Sequence, residues 1–298
     1  MNNYYIGVDV GATKIAAGFT FGGKIIKKTK TPTQAEKGKA LAIKNIIAAI
    51  KTVYAPKIKG IGIGIAGQIN SQKGLAVSSP NFSKDFKNVP LAKIIQNTFK
   101  KPVLIDNDAN CFALGEAIYG AGKNYKYLAG LTLGTGVGGG IVINKKIYHG
   151  RDGLAAEIGH TVIVKNGLKC SCGQNGHLEA YTSGNAMINL YQKLSGQKKD
   201  TFEIEALAKK GEKNALRVFK IMTEHLALGL ANIINIFNPE IIILGGGLSR
   251  VDILTKPAIK LALSQTVYPA LKTTKIVTSK LKDDAPLLGA VALFKIKR

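Results

Sequence analysis

Apolar residues fall along this chain in two rhythms. Tyr4-Tyr5-Ile6-Gly7-Val8-Asp9-Val10 is a β-rich run broken at Gly11, Ile15 to Thr20 is a second, and Lys24-Ile25-Ile26 follows Gly22-Gly23. Strand, glycine turn, strand, glycine turn, strand predicts an antiparallel meander. Helical spacing replaces the alternation over Lys39–Val53 and Leu91–Phe99. Asp108–Tyr119 is alanine-rich, starts on an Asn/Asp pair and stops before Gly120, and Arg217–Phe237 is a long apolar helix ending at Asn238-Pro239. Pro286–Lys295 reads as a closing helix. Strands alternating with helices predict α/β layers.

The opening pattern returns. Leu128 to Gly136 is again a β-run ending in glycines, and Gly138-Gly139-Gly140 leads into Ile141 to Ile147; a shift of 123 residues sets Gly7 on Gly130 and Gly11 on Gly134. Ile61-Gly62-Ile63-Gly64-Ile65-Ala66-Gly67 is echoed by Ile241-Ile242-Ile243-Leu244-Gly245-Gly246-Gly247. The order of these echoes points to two related α/β domains. The first is expected over 1–117 with 285–298 and the second over 118–284, with a shared cleft where ligands commonly bind.

Composition narrows the class. The chain has 298 residues, 46% hydrophobic and 20% charged, as in an ordinary globular protein. No run approaches the ~18 apolar residues of a membrane span, so no membrane partner is expected. The N-terminus lacks the pattern of a signal peptide. Three cysteines cannot form a disulfide framework, so the reducing cytoplasm is the expected compartment. The net charge of +24 admits a polyanion partner, but only Arg151, Arg217, Arg250 and Arg298 are arginines among 42 basic residues. Sequence-reading DNA binders lean on arginine for bidentate base contacts. Scattered lysines favour a solvated surface, and no nucleic-acid partner is expected.

Five clusters carry candidate chemistry. In the turn Asp9-Val10-Gly11-Ala12-Thr13-Lys14, Gly11 lets backbone N–H groups approach a phosphate, with Thr13 and Lys14 adding a hydroxyl and a cation. Asp9 suits a Mg²⁺ ion riding on phosphates, although a plain hairpin with a solvated lysine would look the same. Gly134-Thr135-Gly136-Val137-Gly138-Gly139-Gly140 holds too many glycines for strand filler, so a ligand's close approach is the natural reason. Gly245-Gly246-Gly247 fits either a nucleotide at a strand end or a tight strand-to-helix turn. In Ile105-Asp106-Asn107-Asp108-Ala109-Asn110, Asn107 or Asp108 is a helix N-cap, or else a carboxylate kept ionised to accept a hydroxyl proton. His160, Cys170, Cys172 and His177 gather soft donors that could make a tetrahedral Cys₂His₂ zinc set or remain free thiols and surface histidines. Cys111, in an apolar helix, reads as packing.

Together these residues resemble the ROK family of sugar kinases and sugar-responsive repressors. The resemblance runs from Asp9-Val10-Gly11-Ala12-Thr13-Lys14 to Gly245-Gly246-Gly247. It is most specific where Glu157-Ile158-Gly159-His160 is joined to Cys170-Ser171-Cys172-Gly173-Gln174-Asn175-Gly176-His177-Leu178-Glu179. It implies an actin/hexokinase-like (ribonuclease H-like) α/β fold of two domains closing over ATP and sugar, with the C-terminal helix returning to the N-terminal domain. By resemblance Asp108 is the catalytic base, and Asn81, Asn107, Glu157, His160 and Glu179 contact the sugar. Phosphate contacts fall on Gly11 to Lys14 and on Gly134, Thr135 and Gly136. The family's zinc loop usually carries a third cysteine where His177 stands; imidazole is an acceptable ligand. A zinc held by all four side chains, in a loop near 160–179, would be structural.

The implied function is ATP- and Mg²⁺-dependent phosphorylation of a hexose, glucose to glucose 6-phosphate first. The alternatives are N-acetylglucosamine, N-acetylmannosamine, fructose or allose as acceptor, and, in another class, a sugar-sensing regulator. The family's repressors add an N-terminal DNA-binding domain, for which the strand at Tyr4 leaves no room. The family also suggests a homodimer.

Overall fold

The structure is a computed structural model that describes residues 3–79 and 82–296. It divides into two units, one of residues 1–126, 140–156 and 280–298, the other of residues 127–139 and 157–279. Residues 118–126, 140–156 and 280–284, which the sequence reading places in the second domain, group with the first.

In the first unit, β1 (Tyr4–Val10), β2 (Lys14–Phe21) and β3 (Lys24–Pro32) form the expected meander. β4 (Ile61–Ile65) and β7 (Val103–Asn107) add in parallel, giving the order β3-β2-β1-β4-β7. The short hairpin β5 (Gln68–Asn70) and β6 (Leu75–Ser78) lies between them in the chain. β4 reads Ile-Gly-Ile-Gly-Ile, and period-2 alternation sends its two residue types to opposite faces. Ile61, Ile63 and Ile65 pack in one buried cluster with Ile46, Ala49, Ile50 and Val53 of α1 (Lys39–Val53). On the other face, a Cβ at Gly62 would overlap the Ala290 carbonyl of α9 (Ala285–Ala292), and one at Gly64 would press on Cys111 of α3 (Asp108–Tyr119). The glycines let two helices lie directly on the strand. Cys111 is fully buried there, as its apolar setting suggests. α2 (Leu91–Phe99) completes the unit's helices.

Two polar ties hold the ends of these helices. The buried Glu116 accepts from the N–H of Ala121 (2.7 Å) and of Leu281 (2.8 Å), joining the end of α3 to the approach to α9. Lys145, held in the left-handed region (φ 65°), donates from Nζ to the carbonyls of Ala117, Gly122, Lys123 and Tyr125 at 2.7–3.0 Å. One ammonium thereby ties the last turn of α3, through Ala117, to carbonyls of the loop that follows it.

β8 (Tyr127–Leu133), β9 (Val137–Ile143), β10 (Lys146–Ile147), β11 (Ile241–Gly245) and β12 (Lys275–Thr278) form a sheet of order β10-β9-β8-β11-β12, with β8, β11 and β12 parallel. Strand for strand this repeats the first sheet. β8 takes the place of β1, and β11 that of β4, which is where the two sequence echoes fall. The second unit's helices are α4 (Glu179–Thr182), α5 (Gly184–Ser195), α6 (Thr201–Lys209), α7 (Lys213–Phe237) and α8 (Asp252–Ser264). α7 buries Val218, Phe219, Met222, Leu226, Leu230, Ile233 and Ile234 along one stripe. It begins four residues before the expected Arg217 because Glu212 caps it, accepting from the N–H of Asn214 (3.0 Å) and Ala215 (2.7 Å). Among the described residues no helix is long and apolar enough to cross a membrane.

Candidate active site

In the first unit the candidate residues gather where β7 runs into α3. Asn107 is the N-cap: its Oδ1 accepts from the N–H of Ala109 (2.8 Å) and Asn110 (3.2 Å), and its Nδ2 donates to the Gly67 carbonyl (3.0 Å). The sequence left Asn107 and Asp108 as rival caps. With Asn107 in that role, Asp108 becomes the first helical residue, half-buried, its Oδ1 accepting from the Ala109 N–H at 3.0 Å. The positive end of α3 favours its ionised form.

At the end of β1, burial pushes the Asp9 carboxyl up to about 7; the negative charges of Asp108 and Asp283 add to the rise, and Lys28 and Lys30 oppose it. Asp9 and Asp108 are thus close enough to repel. A divalent cation bound by Asp9 would relieve that repulsion, so the donor chemistry fits Mg²⁺. The Gly11–Thr13 turn is closed by the Gly11 N–H donating to the Lys14 carbonyl (3.0 Å) and the Thr33 hydroxyl to the Gly11 carbonyl (2.7 Å). Ala12 is half-buried, and Thr13 and Lys14 are exposed. Asn81 lies outside the described residues.

The second unit brings its two glycine turns together. Gly245 pairs with Thr132, and Gly246, at φ 80°, lies so close to the Leu133 backbone that a Cβ would overlap it. Gly247 follows in open space. The neighbouring turn is closed by the Gly134 N–H donating to the Gly136 carbonyl (2.9 Å), while the Gly134 and Thr135 carbonyls accept from Gly184 (2.7 Å) and Asn185 (3.4 Å) at the start of α5. Glu179 sits beside this turn: its Oε2 accepts from the Val137 N–H at 2.9 Å, and a Cβ on Gly136 would press on the same carboxylate.

Glu179 also joins the turn to the Cys/His loop, its Oε1 accepting from the Ser171 hydroxyl (2.6 Å) and the Cys170 thiol (3.6 Å). Loss of hydration and the neighbouring Glu179 raise the Glu157 carboxyl above its ordinary value, while His160 opposes the rise, so these three side chains form one electrostatic group. His160, Cys170, Cys172 and His177 present donor atoms all within 4.8 Å of one another. Cys170 Sγ lies 3.7 Å from His160 Nδ1, and Cys172 Sγ 3.2 Å from His177 Nδ1. Two thiols and two imidazoles at this spacing fit the ligand set of a tetrahedral zinc, which the ion would draw in to about 2.0–2.3 Å. Cys170 and His177 are buried, His160 is half-buried and Cys172 exposed.

The sequence reading did not single out Asp106, Asn110 or His149. Asp106 is 2% exposed, and its carboxylate meets His149 Nε2 at 2.7 Å and Asn110 Nδ2 at 3.0 Å. An acid directly before the Asn107-Asp108 pair was a visible signal for Asp106; nothing local marked His149.

Comparison with known proteins fits this arrangement. The chain matches the ROK family model over residues 5–297. It is similar to a glucokinase of Thermotoga maritima, at 38% identity over 97% of this chain and 96% of that one. It is also similar to an N-acetyl-D-glucosamine kinase of Histophilus somni, at 34% identity over 97% and 98%. A crystal structure of a ROK family glucokinase from Streptomyces griseus, in complex with glucose and AMPPNP, superposes with a TM-score of 0.86 at 30% identity, covering 97% of this chain and 98% of that one. A match of this length takes in both units, and the chain belongs to the ROK family, with the actin/hexokinase-like α/β fold of its hexokinases.

Proposed function

We propose that this protein is an ATP-dependent hexose kinase whose first acceptor is glucose, acting in the cytoplasm as a homodimer. The observation that carries the reading is the turn at the head of α3, where Asn107 does the capping and Asp108 stands as the first helical residue, half-buried. Asp108 takes the proton from the sugar hydroxyl as that oxygen attacks the γ-phosphorus, and the bond from phosphorus to the ADP oxygen breaks. Asn81 and Asn107 hold sugar hydroxyls in the first unit, and Glu157, His160 and Glu179 do so in the second. Gly11, Ala12, Thr13 and Lys14, with Gly134, Thr135, Gly136 and Gly245 to Gly247, contact the nucleotide, the Thr13 and Thr135 hydroxyls and the Lys14 ammonium serving as donors. Mg²⁺, held through Asp9, supplies charge neutralisation on the phosphates, which with positioning is most of the catalysis in this reaction class.

Zinc on His160, Cys170, Cys172 and His177 has a structural part. It fixes the loop that hydrogen-bonds Glu179, and four protein ligands leave no position for a reacting water. The similarity to an N-acetyl-D-glucosamine kinase supports N-acetylhexosamines as the competing acceptors.

The test is ADP release with Mg²⁺-ATP across glucose, N-acetylglucosamine, N-acetylmannosamine, fructose and allose. Turnover on glucose within the ordinary enzyme range of about 1–10³ s⁻¹ is the expected result. Turnover confined to another sugar replaces glucose, and silence on all five from folded protein overturns the reading in favour of a sugar sensor.

A further inference from the structure

We propose that His149 is a positioning residue for the catalytic turn: as an imidazolium it holds the buried Asp106 carboxylate, and through Asp106 it fixes the backbone and side chains on either side of Asp108. The proposal rests on the reading of Asp108 as the base.

Asp106 is placed to do this. It is the next-to-last residue of β7, and its carboxylate makes one bond on each side of Asp108. Oδ1 accepts from the Asn107 N–H at 2.8 Å, directly before the base, and from Asn110 Nδ2 at 3.0 Å, two residues beyond it. Asn107 in turn holds Gly67 and two N–H groups of α3. The remaining oxygen, Oδ2, meets His149 Nε2 at 2.7 Å. Asp106, Asn107 and Asn110 thereby share five hydrogen bonds about the head of α3.

The Asp106 carboxylate is only 2% exposed, and a group so buried needs hydrogen-bond partners. His149 is one of them, and the hydrogen bond to Asp106 raises the histidine above its ordinary value, with desolvation opposing the rise and the Asp106 charge adding to it. The side chain is 32% exposed and lines a cavity of about 1130 Å³ within the first unit, so solvent can exchange its proton. The charged groups around that cavity are Lys59, Lys146, Arg151, Asp152 and Lys295 besides Asp106, with Arg151 and Asp152 paired at 2.8 Å. The lysines oppose protonation; the contact with Asp106 favours it.

A histidine that only filled space, or only anchored the loop through its carbonyl to the Ala155 N–H, would act without regard to charge. The positioning role depends on charge. When His149 loses its proton, Asp106 keeps a hydrogen bond but loses its counter-ion, and the turn loosens. Turnover falls while nucleotide affinity, which depends on other loops, does not.

The experiment measures kcat and KM from pH 5.5 to 9 for the wild type, His149→Gln and His149→Ala, and follows the His149 imidazole by NMR in the wild type and in Asp106→Asn. The wild type is expected to lose turnover severalfold on the alkaline side, with a midpoint matching the NMR titration of His149. His149→Gln keeps a donor without a charge, so its kcat is about threefold to tenfold lower at pH 6.5 and that alkaline step is absent. His149→Ala loses more, with the nucleotide KM within about twofold of wild type. Asp106→Asn shifts the His149 titration to lower pH. Wild-type turnover and pH profile in His149→Gln would overturn the proposal, as would an unmoved His149 titration in Asp106→Asn. The NMR arm needs no turnover, so a protein that phosphorylates no sugar refutes the kinase reading and leaves the ion pair to be judged separately.

Discussion

Replacing Asp108 by Asn is the sharpest test of the site, because the structure separates its catalytic cost from its structural cost. The side chains are nearly the same size, and capping of α3 belongs to Asn107, whose Oδ1 takes two N–H groups whichever residue follows. The fold therefore loses only a carboxylate at a helix N-terminus, worth about 0.3–1 kcal/mol. Losing the repulsion between Asp108 and Asp9 offsets part of that. Turnover should instead fall by roughly 10²–10⁴, the range for losing a positioned base. At about 1.36 kcal/mol per decade this is about 3–5 kcal/mol of barrier, several times the change in stability. Steady-state kinetics with glucose and Mg²⁺-ATP, beside a urea titration of each protein, read the two quantities independently. A variant within a few-fold of wild-type kcat would remove Asp108 from the proton transfer. A large loss of stability accompanying the loss of turnover would mean that Asp108, and not Asn107, carries the cap.

Other outcomes follow from neighbouring features. Asp9 is raised above its unfolded value, so it stabilises the fold fully below about pH 4, and that contribution is lost as pH rises through about 7; Mg²⁺, by meeting the ionised form, should raise Tm more at pH 8 than at pH 5 in thermal melts, and equal shifts would place the ion elsewhere. Metal analysis of purified protein should find about one zinc per chain, and Cys172→Ser should release it and weaken sugar binding through Glu179; metal-free protein of full activity would refute the zinc reading. At Gly289 an added Cβ would overlap the Cys111 carbonyl, so Gly289→Ala should cost about 1–3 kcal/mol in chemical denaturation, whereas Gly196→Ala, with open space around it but a left-handed φ of 74°, should cost about 1 kcal/mol through backbone strain alone.

What the sequence made legible tracks how locally each feature is encoded. α1 and α2 match their expected bounds because their stripes of Ala, Ile, Leu and Phe are set within the helix itself. The two sheets were foreshadowed by glycine-bearing repeats, since a strand that must admit a helix on one face can carry little else there. α5, α6 and α8 went unmarked. α6 had a readable signal, the Asp200/Glu203 capping box. α8 was masked by Pro257, which reads as a breaker and stands inside the helix at its sixth position, where its missing N–H costs one intrahelical bond. Of the site, each loop was legible as a motif. The pairing of Asp106 with His149 was not, because the two stand 43 residues apart and meet only through tertiary packing.

The lysine excess, unexplained by composition, acquires several separate causes once the chain is folded. β3 is an edge strand, and Lys24, Lys27 and Lys30 stand exposed along it while Lys28 is tied to Asp284. Charged side chains on an unpaired edge discourage another strand from adding there. Lys145 is spent on the Ala117 carbonyl of α3 and on carbonyls of the loop after it. Lys28 and Lys30 also restrain the rise of the Asp9 carboxyl. The positive charge thus guards an edge, closes a turn and tempers an acidic site. None of these uses calls for arginine's planar fork.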